Sequence, residues 1–134
     1  MILAPRHNTR SAEVLRLLEA SGFSFCTRSQ GQMPTPETDI FLADTMCEKA
    51  LWYRLAGQSF VGGSLVDKGG HTPFEPMQFD CAILHGTYLA NFAEPYDALS
   101  RADGAIAAVD AVALGKAIED LDAARIDQVA QAAR

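Results

Sequence analysis

Short, continuously apolar runs alternate with stretches of helical spacing along almost the whole chain. "MILAP" predicts a short strand that Pro5 ends, and from Ser11 the spacing of Val14, Leu15, Leu17, Leu18 and Ala20 predicts an amphipathic helix that Gly22 closes. "FSFCTRS" reads as the next strand, followed by the polar, proline-bearing loop "QGQMPTPETD" and the buried strand "IFLAD". Thr45 then opens a helix through Leu51, Trp52 and Leu55 that ends near Gly57. "SFVGGSL" and "CAILHG" are the fourth and fifth strands, with a short helix starting at Thr72 between them. Asn91 opens the helix "NFAEPYDALSRAD", and "GAIAAVD" is a weaker sixth strand. The alanine-rich tail from Ala111 to Arg134 predicts two helices broken near Asp122 to Arg125, with Leu114, Ile118 and Leu121 facing the core.

Strands that are apolar at every position are buried on both faces, and their alternation with helices is the pattern of parallel β-α-β units. The expected fold is therefore α/β and doubly wound: a mostly parallel, Rossmann-like sheet with helices on both faces. The 134 residues form one domain, 1–134. In such sheets ligands lie beyond the carboxyl ends of the strands, where the strand-to-helix loops gather.

Three of those loops share a spacing. Thr45–Glu48, Thr72–Glu75 and Asn91–Glu94 each place a capping residue three before a glutamate, which is the signature of a capping box. The middle one adjoins "FVGGSLVDKGGHTPFEP", where four glycines separate a strand from a helix. Bare backbone of that kind serves either a long tight turn or a close approach to a ligand. The loop is neither a Walker A motif, because Lys68 precedes Gly69 and no Ser/Thr follows it, nor a G-x-G-x-x-G turn. What remains is a nest of N–H groups around His71 leading into a helix start, suited to one phosphate or carboxylate. Arg6, directly after the first strand, supplies a guanidinium for the same anion. Ser64, Asp67 and His71 sit on one short loop and do not make a catalytic triad, and no serine has a nucleophile elbow.

Composition narrows the choices. A formal charge of −6 with no basic run argues against nucleic acid as partner, though one arginine and a few amides suffice for a mononucleotide. Three widely spaced cysteines fit a reducing, cytoplasmic compartment, and three histidines without a helical pair offer no metal site. No cofactor is expected. No apolar run approaches the roughly 20 residues of a membrane span.

Together "LAPRH" at 3–7, "TRS" at 27–29, "DTM" at 44–46, "FVGGSLVDKGGHTPFEP" at 60–76 and "NFAE" at 91–94 resemble the C-terminal half of the bacterial 3-deoxy-D-manno-octulosonic acid (Kdo) transferases, in order and spacing along residues 3 to about 125. The resemblance implies a GT-B glycosyltransferase lobe of lipopolysaccharide assembly that binds the donor CMP-Kdo, without a divalent metal for the transfer itself. Family members pass Kdo to the lipid A precursor at the inner face of the cytoplasmic membrane. By this likeness Arg6 meets the phosphate, Thr45, Met46, Gly62, Gly63, Ser64, Gly69, Gly70, His71 and Thr72 line the CMP pocket, and Glu75 accepts from the ribose hydroxyls. Against the family pattern, the chain has Thr72 for the usual Asn, Cys47 for Gly, and Ala82, Thr87 and Tyr88 for Pro, Pro and His.

The likeness also implies that the lobe's first βα unit is missing and that the acceptor lobe, which carries the family's catalytic carboxylate, lies outside this chain. A donor-binding lobe inactive alone is the leading expectation. Its completing partner is a separate acceptor-lobe chain, through which any peripheral membrane contact is made, or a second copy of itself. The alternatives are a non-catalytic nucleotide or nucleotide-sugar module, and a remnant that binds nothing and acts through its surface.

Overall fold

The strand Ile40–Leu42 (β3) shows why an uninterrupted apolar run is needed. Successive side chains on a strand point to opposite faces. Ile40 and Leu42 pack with Leu18, Leu15, Val14 and Leu3, while Phe41 and Ala43 pack with Trp52, Ile2 and Cys26. Phe41 and Trp52 meet edge to face, 5.4 Å between ring centres. A polar residue at any of these positions would be stranded in one core or the other.

The computed structural model describes all residues, 1–134, in two compact units, Met1–Trp52 and Tyr53–Arg134. In the first unit β3 lies between β1 (Ile2–Leu3) and β2 (Phe25–Thr27), both parallel to it, with Ile2 beside Phe41 and Cys26 on its other side. Helix α1 (Ser11–Ser21) turns a Val14, Leu15, Leu18 stripe to the sheet and stops at Gly22, whose φ of +79° ends the helix as the sequence leads one to expect. Helix α2 (Lys49–Leu55) carries the boundary between the units.

In the second unit β5 (Ala82–His85) is buried along its whole length between β4 (Gln58–Val61) and β6 (Ala105–Ala107), again all parallel. Val61, Ile83, Tyr96, Leu99 and Ala133 form its core. The expected parallel α/β architecture is thus present, with its six strands arranged as two three-stranded sheets.

The helices α3 (Phe74–Met77), α4 (Ala93–Ala102), α5 (Ala111–Asp120) and α6 (Ala123–Ala132) complete the unit. The break between the last two falls as expected, with Asp110 and Asp122 each accepting from the N–H three residues on at 2.8 Å. Of Leu114, Ile118 and Leu121, expected to face the core, Ile118 is exposed and the two leucines are only half-buried. No residue of α5 is buried; α6 supplies the packing instead, through Val129 and Ala130. No helix is long and apolar enough to cross a membrane.

Candidate functional site

The glycine stretch is closed by its own backbone. Where β4 ends, the Gly62 and Gly63 carbonyls accept from the N–H groups of His71 (3.2 Å) and Gly70 (2.8 Å), so residues 64–69 form a loop with a hydrogen-bonded neck. The notion of an anion nest in the amides around His71 therefore needs correction: two of those donors are already used inside the loop, and a single N–H serves one strong acceptor. The His71 ring lies over Gly63.

Two residues fasten this loop. Ser64, fully buried, donates through Oγ to the Val61 carbonyl at 2.7 Å and accepts from the Gly86 N–H at 2.8 Å, tying the loop to the end of β5. Asn91 donates from Nδ2 to the carbonyls of Lys68 (3.2 Å) and Gly70 (3.3 Å), and from its backbone N–H to Gly69 at 2.9 Å. Gly69 has φ +79°, and a Cβ there would lie 2.5 Å from Asn91 Nδ2, so both conformation and space demand glycine. The Tyr96 hydroxyl holds the His71 carbonyl at 2.9 Å. Of the residues expected to bind, Ser64, Gly69 and Gly70 are thus buried supports, whereas Gly62, Gly63, His71 and Thr72 are part-exposed. The Thr72 hydroxyl accepts from the Phe74 N–H at 3.3 Å.

Glu75 is exposed, at the start of α3, and the Tyr53 hydroxyl donates to it across 3.5 Å. Burial, then the charge of Glu75, pushes the Tyr53 phenol up to about 12, so it stays a neutral donor at physiological pH. Its ring stacks on Phe79, 5.9 Å between centres. The Cys81 thiol beneath donates to the Tyr53 and Ala56 carbonyls at 3.2 Å, and burial raises its pKa, which makes it an inert packing group.

In the first unit, Arg6, Thr45 and Met46 lie together. Both loops leave the carboxyl ends of parallel strands, and they line one cleft of about 170 Å³ with Cys47, Lys49 and Trp52. Glu48, expected to cap the helix by a backbone bond, instead takes a forked pair from Arg28, Nε at 3.2 Å and Nη2 at 2.9 Å, and accepts from the Thr45 hydroxyl. These contacts hold its carboxyl down at about 2. Nor does Asn91 cap α4, whose N-cap is Phe92, because its amide is committed to the glycine loop.

Sequence reasoning missed the parts played by Asn91 and Tyr53. The signal for Asn91 was the pairing of a polar residue after β5 with a glycine loop after β4: neighbouring parallel strands bring their following loops side by side.

Each unit is thus an α/β layer of parallel strands, with a cation-bearing cleft at the strand ends of the first and a fastened glycine loop at those of the second. No family model matches the chain. It is 38% identical over 122 residues to 3-deoxy-D-manno-octulosonic acid transferase of Haemophilus influenzae, covering 90% of this chain and 29% of that protein. It is 33% identical over 124 residues to the enzyme of the same name from Bordetella pertussis, covering 92% and 26%. Among solved structures, the C-terminal CMP-Kdo binding domain of WaaA from Acinetobacter baumannii superimposes with a TM-score of 0.85 at 34% identity, covering 98% of this chain and 70% of that one. The chain belongs to the Kdo transferase family and corresponds to its C-terminal domain. It spans less than a third of the length of these two transferases.

Proposed function

We propose that residues 1–134 serve as one lobe that holds the CMP-Kdo donor for transfer of Kdo to a lipid A precursor, the acceptor being bound by a further lobe or a partner chain. The observation that carries this reading is the glycine loop of the second unit, fastened by Ser64 and Asn91 at the carboxyl ends of β4 and β5. It supports a ligand without having to be ordered by it, and so saves the entropy of loop closure on binding. The likeness to a domain titled for CMP-Kdo binding supports the same ligand.

In this reading Gly62, Gly63, His71 and Thr72 face the nucleotide, and Glu75, steadied by Tyr53, accepts from two vicinal ribose hydroxyls. Ser64, Gly69 and Gly70 act from beneath. Arg6, with Thr45 and Met46, takes the phosphate. When the acceptor hydroxyl attacks the anomeric carbon, negative charge grows on the departing CMP, and a guanidinium already in place stabilises that charge. The reaction takes place at the inner face of the cytoplasmic membrane.

Thermal unfolding in the presence of CMP tests this reading. At 100 times the dissociation constant, bound nucleotide adds about 2.7 kcal/mol of stability. Arg6→Ala and Glu75→Ala are expected to abolish most of that gain; a gain untouched by both substitutions contradicts the assignment.

A further inference from the structure

His85, the last residue of β5, is a buried side chain to which the donor-binding reading gives no part. It is 3% exposed, and its Nδ1 lies 2.6 Å from the Gly86 carbonyl. A carbonyl can only accept, so Nδ1 carries a proton in that contact. The other ring nitrogen, Nε2, is buried without a hydrogen-bond partner. An unpaired buried polar atom is destabilising, and an apolar side chain would avoid the loss. Packing alone therefore does not account for a histidine at this position.

Its two contacts lead to the two ends of the glycine loop. Gly86, whose carbonyl His85 holds, gives its own N–H to Ser64 Oγ at 2.8 Å, and Tyr88 donates to the Ser64 carbonyl at 2.9 Å. A Cβ on Gly86 would lie 2.1 Å from that carbonyl, so the two backbones meet here at closest approach. On the other side, the His85 ring lies against Tyr96, 4.7 Å between centres and tilted by 53°. The Tyr96 hydroxyl donates to the carbonyl of His71, where the loop closes. We propose that His85 is a positioning residue for nucleotide binding: its Nδ1–H fixes the backbone at Gly86 against Ser64, and its ring seats Tyr96 against His71. One side chain thereby sets both ends of residues 64–71. The inference rests on the reading of this loop as part of the nucleotide site and adds the residue that pre-forms it. A loop already held in its binding shape loses less freedom when ligand arrives, so binding is tighter.

Two substitutions separate the contacts. His85→Phe keeps an aromatic ring beside Tyr96 and removes the donor to Gly86; the unpaired Nε2 goes with it, which offsets the tighter fit. His85→Asn keeps a donor near the position of Nδ1 and gives up the ring. Wild type and both variants are compared by thermal unfolding and amide hydrogen exchange without ligand, and by calorimetric titration of CMP. His85→Phe is expected to unfold within about 3 °C of wild type. Its Gly86 and Tyr88 amides should nevertheless exchange faster, and CMP should bind about three- to tenfold more weakly, the loss of one hydrogen bond. His85→Asn should show the converse exchange pattern, with Gly86 and Tyr88 protected as in wild type and the Gly70 and His71 amides exchanging faster. Imidazole nitrogen NMR of wild type should find a proton on Nδ1. An unprotonated Nδ1, equal exchange in all three chains, or losses in His85→Phe that only follow a fall in its thermal stability would overturn the proposal. Failure of wild type to bind CMP removes the nucleotide reading, while the exchange pattern of the ligand-free chains decides by itself whether His85 holds the loop.

Discussion

Asn91 and Gly69 lie face to face: the Asn91 N–H donates to the Gly69 carbonyl at 2.9 Å, while the Asn91 carboxamide occupies the space where a Gly69 side chain would stand. The loop that follows β4 is thus built around a residue that follows β5. Asn91→Ala removes two further bonds, to Lys68 and Gly70, and should cost about 1–3 kcal/mol. Gly69→Ala meets both a left-handed backbone and the carboxamide, and should cost more than about 1 kcal/mol. Denaturant unfolding measures both, and hydrogen exchange should show faster opening of residues 62–71 in Asn91→Ala.

Ser64 was expected to bind ligand directly, and the structure gives it a supporting role. Ser64→Ala leaves the buried Gly86 N–H without its acceptor, a loss of about 1–3 kcal/mol. Gly86→Ala should be worse, since its Cβ would overlap the Ser64 carbonyl, which is backbone and cannot swing aside. We expect Gly86→Ala to unfold at markedly lower denaturant than Ser64→Ala; equal stability of the two would contradict the packing described.

Glu48 sets an acid limb of stability. Its carboxyl lies at about 2 in the folded chain against an ordinary 4.5, first through Arg28 and then through the Thr45 hydroxyl. A depressed folded-state pKa contributes stability that is fully present above the unfolded value and lost as pH falls toward the folded one. The contribution should therefore fade between about pH 4.5 and pH 2. Arg28→Ala should flatten that part of the stability curve, as read by unfolding at stepped pH, and leave the curve near neutrality parallel to wild type.

Cys47 adopts φ 65°, a conformation that disfavours an L side chain. Glycine, which the family pattern has there, removes that strain and adds some chain entropy to the unfolded state. The net expectation for Cys47→Gly is a gain of about 0.5–1 kcal/mol. A loss on urea unfolding would show that the thiol makes a compensating contact.

The strands were legible because β3 and β5 are buried on two sides, a condition that only unbroken apolar runs such as Ile40–Leu42 satisfy. Apolar runs do not say which strands are neighbours, so the division into two three-stranded sheets left no mark in the pattern. Arg6 and the Thr45–Met46 turn could be placed in one site because each follows a parallel strand. The capping-box spacing misled at Glu48 and Asn91 because tertiary partners, Arg28 and the glycine loop, compete with the local bond and lie 20 or more residues away. The closed neck of the glycine loop was hidden for the same reason: amide and carbonyl pairing across residues 62–71 depends on backbone geometry, not on side-chain identity. The apolar spacing of Leu114 and Ile118 resembles a core stripe, yet Leu114 is only half-buried and Ile118 is exposed.

The central claim is that this chain binds a cytidine nucleotide at the named loops. Titration of CMP into isotope-labelled protein, followed by amide NMR, tests it residue by residue. The account predicts saturable shifts at residues 62–63 and 71–75 and around Arg6 and 45–47, with α5 and α6 little affected. Shifts that never saturate, or that are confined to those two C-terminal helices, would contradict it.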